Sequence, residues 1–276
     1  MNWADKINDF HYNIGANLTF VDNEVTKFKG DEASYSGTTM IKEGYGINTQ
    51  YIYIADRIVQ TQADLDYVQS LVDNPKLDEE GKPINYFKNF KRPELGDVLY
   101  KDMNNNGYLD DDDRVARGHG DTPRFLFNFN LGFEYKGFDF STVLSGTGSY
   151  KVQYTHMRSS YLTFGNQISK EVADNCWHEG MTNAKYPRLM SNGDSRNTRQ
   201  STIWETDKSY FKIRNIQLGY TLPQKWLQTL SLNRVRLFCS LENFFTFTDY
   251  AGMDPETNKL TYPTMRQASF GLNVSF

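Results

Sequence analysis

The last eleven residues, Arg266 to Phe276, alternate between two faces without a break. Ala268, Phe270, Leu272, Val274 and Phe276 point one way, and Gln267, Ser269, Gly271, Asn273 and Ser275 the other, because successive side chains of a strand face opposite sides of a sheet. A strand of about 9 to 11 residues, apolar on one face and small or polar on the other, is the unit from which outer-membrane barrels are built. A half-buried strand of an ordinary antiparallel sheet carries the same pattern. The rest of the chain decides between the two.

The same two-faced pattern recurs. Over residues 10 to 20, Phe10, Tyr12, Ile14, Ala16, Leu18 and Phe20 share one face, and His11, Asn13, Gly15, Asn17 and Thr19 the other. Asp22-Asn23 then reads as a tight turn into a strand through Val25 and Phe28. From Arg124 to Gly146, two such rows flank the dipeptide Lys136-Gly137: Phe125 to Tyr135 in steps of two, then Phe138, Phe140, Thr142 and Leu144. In a two-residue hairpin Tyr135 and Phe138 pair directly, so both apolar rows fall on one face and the register checks the assignment. Two further strands cover residues 213–222 and 235–247, joined by a segment in which Pro223 starts a short helix. Tyr210, Phe211, Phe244, Phe245, Phe247 and Tyr250 crowd strand ends, which suits an aromatic girdle at a membrane interface and equally suits cross-strand packing.

Composition narrows the class. Aromatics are 15% of the 276 residues, yet mean hydropathy is −0.65, and no apolar run approaches the ~18 residues of a membrane-spanning helix. A barrel tolerates low hydropathy because half of each strand faces water and its loops are polar. A net charge of −4 without a basic cluster gives no attraction for a phosphate backbone, so no nucleic-acid partner is expected. Cys176 and Cys239 are too few for a disulfide scaffold, and whether they pair is open. The N-terminal residues lack the apolar core of an export signal, an expectation for the chain as it stands. Long polar stretches at residues 60–96 and 147–208 read as functional loops, with helices expected over 62–72 and 164–177.

One segment has metal chemistry. Asp102, Asn104, Asn106, Asp110 and Asp113 supply oxygens at loop positions 1, 3, 5, 9 and 12, Gly107 takes the sharp turn, and Tyr108 offers its carbonyl. This is the pattern of an EF-hand-type loop, since Ca²⁺ takes about six to eight hard oxygens. Position 12 is Asp instead of bidentate Glu, and residues 96–101 read as a strand where an entering helix would stand. A solvated acidic turn is the competing reading. Nothing marks catalysis: His11, His119, His156 and His178 are scattered, and no nucleophile-elbow, zincin, phosphate-loop or dinucleotide motif occurs. Asn17-Leu-Thr19 matches a glycosylation sequon that chance easily produces. No catalytic residue is expected.

Several segments together resemble the C-terminal part of the SusC/RagA-like TonB-dependent transporters. They are Gly96-Asp-Val-Leu-Tyr-Lys-Asp102 running on to Arg114, Pro123-Arg-Phe125, Tyr135-Lys-Gly-Phe-Asp139 and Ala184-Lys-Tyr-Pro-Arg188. The likeness continues through Ser209 to Pro223, Glu242-Asn-Phe-Phe-Thr-Phe-Thr248, Gly252-Met-Asp-Pro-Glu256 and the closing Ser269 to Phe276, covering nearly the whole chain.

The resemblance implies an all-β chain: antiparallel strands of a transmembrane β-barrel, about 8 to 10 of about 22, with long extracellular loops. Residues 1–276 would be one part of that barrel, the plug and N-terminal regions lying outside it. It further implies an outer-membrane location of the Bacteroidetes type, surrounding lipid, a SusD-like surface lipoprotein, the TonB-ExbB-ExbD complex, and an oligosaccharide or peptide substrate. On that reading the full protein imports oligomeric nutrients and this portion alone transports nothing. Two other classes fit the residues: a self-contained small outer-membrane barrel, and a secreted calcium-stabilised glycan-binding β domain. Tyr154, Tyr161 and Trp177 lie where sugar rings would stack, and equally where a loop would pack on itself. Substrate-binding residues stay unassigned.

Overall fold

The computed structural model describes residues 1–29, 33–118, 120, 122–154, 168, 170–190, 196–228, 232–257, 262 and 264–276. In chain order the strands are β1 (Asn2–Ile7), β2 (Phe10–Phe20), β3 (Ala33–Ser36), β4 (Thr39–Lys42), β5 (Thr49–Tyr53), β6 (Ala55–Ile58), β7 (Val98–Tyr100) and β8 (Arg114–Arg117). They continue as β9 (Phe125–Tyr135), β10 (Phe138–Gly148), β11 (Lys151–Gln153), β12 (Glu205–Asp207), β13 (Tyr210–Thr221), β14 (Arg234–Thr248) and β15 (Gln267–Ser275). Among the described residues three α-helices join them: α1 (Gln62–Asp73), α2 (Lys170–Asn175) and α3 (Gln224–Leu227). The chain divides into two units, Met1–Asp22 with Thr122–Lys151 and Asp207–Phe276, and Asn23–Asp121 with Val152–Thr206.

The first unit is a seven-stranded antiparallel sheet in the order β1-β2-β9-β10-β13-β14-β15. Its register follows from the alternation. Phe10, Tyr12, Ile14, Ala16, Leu18 and Phe20 stand opposite Tyr135, Phe133, Leu131, Phe129, Phe127 and Phe125, and the β9 row is matched in turn by Phe138, Phe140, Thr142 and Leu144. A one-residue slip anywhere would send an apolar row to the polar side. Lys136 and Gly137 both have positive φ, 48° and 90°, as the two-residue hairpin turn requires. Arg214 is the extra residue of a bulge, between Ile213 and Asn215.

The connections are unequal. At one end of the sheet the turns are short: Asn8-Asp9, Lys136-Gly137, and the α3 segment between β13 and β14. At the other end, where Phe20, Phe125, Gly148, Tyr210 and Thr248 stand side by side, every long connection leaves. Short turns on one side and long loops on the other are the signature of an outer-membrane barrel wall.

Three expectations change. Among the described residues the wall sheet has seven strands where eight to ten are expected, because the remaining strands pair in three smaller sheets. The strand through Val25 and Phe28 does not form: β2 is already paired on both edges, by β1 and β9, so a hairpin partner has nowhere to bind. Instead Val25 donates its N–H to the Tyr45 carbonyl and accepts from Gly44. The strand order is open, with β1 and β15 at its two edges, so among the described residues the sheet does not close as a self-contained small barrel.

The second unit has a conventional core. A four-stranded sheet runs β3-β4-β5-β8, and β6 pairs with β7. Tyr53, Val59, Val68, Phe87, Leu99, Tyr100 and Leu109 pack together, Val59 and Val68 completely buried. Burial on that scale contributes roughly 1.5–3 kcal/mol for each large aliphatic or aromatic side chain. Helix α1 starts as expected: Thr61 caps it, accepting from the Asp64 N–H, while the Asp64 carboxylate accepts from the Thr61 N–H in return. Of the helix expected over 164–177, Lys170–Asn175 is formed, and residues 164–167 and 169 lie outside the described residues.

Candidate functional site

The face of the sheet opposite the apolar rows carries Asn128, Asn130, Glu134, Asp139, Ser141, Gln217, Arg236, Ser240, Asn273 and, on β2, His11. Several of its charges are paired. Arg236 donates through Nε to Asp139 at 2.9 Å, crossing β13 over Gly219, where an added Cβ would stand 2.5 Å from both Asp139 oxygens. Lys212 is almost fully buried; its Nζ lies 2.5 Å from Glu256 Oε2 and 3.5 Å from Asp254 Oδ1. Arg214 donates to the same glutamate at 3.0 Å and to Ser145 Oγ at 2.6 Å. The Gly252-Met-Asp-Pro-Glu256 segment is thereby fastened to the polar face. Burial alone would raise the Glu256 carboxyl, but hydrogen bonds from Arg214, Lys212 and Tyr210 hold it down at about 2.

The second unit holds a buried charge centre that sequence reasoning passed over. Asp97, wholly buried, accepts from Arg188 Nε at 2.7 Å, Arg188 Nη2 at 3.1 Å, Arg196 Nη1 at 3.1 Å and Asn197 Nδ2 at 3.0 Å. Asn197 Oδ1 in turn accepts from the Val98 N–H, and its carbonyl from Trp204 Nε1. Beside it Gly96 has φ 85°, and a Cβ there would sit 2.4 Å from the Trp177 ring. Gly96, Asp97 and Arg188 belong to two of the motif segments, about ninety positions apart, and the signal was that both motifs carry an opposite charge.

The acidic loop folds as one compact turn. Asp102 accepts from the N–H groups of Asn106 and Gly107, Asn106 Oδ1 from Tyr108, Asp110 from Asp112, and Asp113 from Met103, Asn104 and Asp110. Leu109 is buried, as an inward anchor should be. The Lys76 ammonium lies 3.9 Å from Asp102 Oδ2. Among the described residues no three His, Cys, Asp or Glu side chains are grouped to hold a metal. Asp113 is fully buried, and burial, with the charge of Asp102 adding, pushes its carboxyl above the usual range against the pull of its backbone donors.

Other candidates separate. Trp177 packs on Gly96, Tyr154 is half-buried, and Tyr161, His119 and His156 lie outside the described residues. Cys176 and Cys239 are both free.

No family model matches the chain. Sequence relatives do. A TonB-dependent receptor of Formosa agariphila is 32% identical over 66% of this chain, a second receptor of that organism is 27% identical over 97%, and the TonB-dependent receptor SusC of Bacteroides thetaiotaomicron is 26% identical over 97%. Solved structures of the RagAB peptide importer cover the whole chain with TM-scores of 0.66 and 0.68, at 20% and 18% identity. In sequence and fold the chain is similar to a portion of a SusC-like TonB-dependent receptor barrel. The chain spans 19% to 28% of the length of these curated relatives. SusC-like TonB-dependent receptors are outer-membrane proteins, and the seven-stranded sheet is a stretch of such a barrel's wall.

Proposed function

We propose that this chain supplies wall and outer loops to a transporter that draws oligomeric nutrients, glycans or peptides, across the outer membrane. The observation that carries the reading is the wall itself: seven paired strands with a mainly apolar face for lipid and, on the other side, a polar face with cross-strand ion pairs for an aqueous interior. The long connections at one end then form the outer surface, where a SusD-like lipoprotein would hold cargo. Energy would come from the TonB-ExbB-ExbD complex acting on another part of the receptor. The site carries no catalytic role in this reading. The test is deletion of the gene, scored by growth on oligosaccharide or peptide as sole nutrient, together with affinity purification of the tagged receptor. Unchanged growth on every oligomer, or a receptor that never brings down a surface lipoprotein, overturns it. The chain expressed alone and reconstituted should give no uptake.

A second proposal concerns calcium at the acidic loop. Asp102, Asn104, Asn106, Asp110 and Asp113, with the Tyr108 carbonyl, are the oxygens that would hold the ion. Its support is the compact turn in which Asp102 and Asp113 accept from the loop's own N–H groups, with Leu109 buried as its inward anchor. Calcium would stabilise the second unit against heat, and Asp102→Ala would remove that gain. Equal melting with and without calcium would exclude it.

A further inference from the structure

The second unit contains a cavity of about 240 Å³ that none of the roles above uses. Phe87, Phe90, Tyr100 and Leu109 line it together with Arg196 and Arg199. The two arginines differ. Arg196 is committed to Asp97 and Glu94, so its charge is answered. Arg199 lays its guanidinium 3.8 Å above the Phe90 ring and 5.8 Å from Tyr53, and among the described residues it makes no ion pair and no hydrogen bond. Stacking holds the planar group by its face and leaves its edge, with five N–H donors, unspent.

We propose that this cavity binds a compact group bearing a carboxylate, with Arg199 as the fork that receives it and the aromatic wall as the surface for the rest of the ligand. The chemistry is specific. An arginine edge matches two carboxylate oxygens in one plane, and such charge-assisted pairs are about twice as strong as neutral ones. The volume sets the size, lying below the ~300–1,000 Å³ of sites for drug-sized molecules, so one ring or one side chain fits. Phe90, Tyr100 and Phe87 give that ring or side chain an apolar surface to cover, while Asn89 and Lys91 at the solvent edge keep the mouth polar. A uronic acid at the end of an oligosaccharide and an acidic side chain of a peptide share this chemistry. The proposal names part of the cargo and so rests on the uptake reading.

The experiment is a binding titration on the whole receptor in detergent, which reports on the cavity whether or not uptake occurs. The probes are two matched pairs: methyl glucuronide against methyl glucoside, and N-acetylglutamate against N-acetylglutamine. In at least one pair the acid should bind about tenfold more tightly than its neutral twin. Arg199→Gln should bring the acid down to the level of the neutral twin with the melting temperature unchanged. Asn89→Trp, which plugs the mouth from the exposed side, should weaken both members of the pair. Preference in the sugar pair assigns a glycan source, and preference in the amino-acid pair a peptide source. Equal binding of acid and neutral probes, no binding by any probe, or an acid preference that survives Arg199→Gln overturns the proposal.

Discussion

The two units solve the problem of apolar side chains in opposite ways. In the wall, Phe270 is 83% exposed, Trp3 57% and Leu218 51%, whereas in the loop unit Ile52, Val59 and Val68 have no exposed surface at all. The wall keeps its order through backbone pairing and register, leaving its apolar face to another solvent; the loop unit must bury its own. Charges follow the same division. Apart from Asp5, those of the wall strands lie on one face, while the loop unit closes around Asp97. One chain therefore contains a sheet specified by period and a globule specified by packing.

The sharpest way to break this comparison is Asp97→Ala. Arg188 and Arg196 would be left facing an empty buried position, a loss of about 3–5 kcal/mol for a broken buried pair. Limited proteolysis should cut the loop unit while the wall strands stay protected; equal protection of both units would mean that Asp97 is not its keystone. Next, two neighbours on β13 should respond differently to the same change. Leu218→Arg puts a charge on the apolar face and should cost about 2–4 kcal/mol near the bilayer midplane, less toward its edge, whereas Gln217→Arg on the polar face should cost little. Folding yield into lipid vesicles reads the difference, and equal yields would reverse the assignment of faces.

A smaller effect tests the latch on the polar face. Because the Glu256 carboxyl is depressed to about 2 in the folded chain, its contribution is fully present above the ordinary carboxylate range and is lost as pH falls from there toward 2. Hydrogen exchange around Gly252 to Glu256 should accelerate over that window, and Glu256→Gln should show the fast rate already at neutral pH. The smallest effect belongs to the helix cap: Thr61→Ala should destabilise the loop unit by about 1 kcal/mol and leave the wall unaffected. Thermal melts of the loop-unit signal against that of the sheet would separate the two.

What the sequence made legible follows the same boundary. Strands β2, β9, β10, β13, β14 and β15 could be read from a two-faced alternation over about ten residues, and the register of β9 with β10 from the turn at Lys136-Gly137. β1 escaped because Asp5 stands in the row of Trp3 and Ile7, breaking the alternation, and because Asn8-Asp9 turns without glycine. Val25 and Phe28 misled because alternation alone does not reveal that both edges of β2 are taken. In the loop unit, helix α1 was visible from its local pattern. Its core was not, since Tyr53, Val68, Phe87 and Leu109 come from segments with no common period. The candidate site divides likewise: Asp102 to Asp113 is a local loop and was read whole, while the junction of Asp97 with Arg188 and Arg196 depends on a fold that no spacing announces.

Gly219 leaves a gap on the polar face through which Arg236 reaches Asp139 across an intervening strand. Alternation punishes a slip of one residue but is blind to a slip of two, which returns every side chain to its proper face. The tie through Gly219 is not blind to it. Moved by two positions, Arg236 would meet a side chain where the gap should be, and Asp139 would lose its donor. A single missing methyl group therefore works as a ratchet tooth, rejecting the one error of assembly that a perfectly patterned strand would accept.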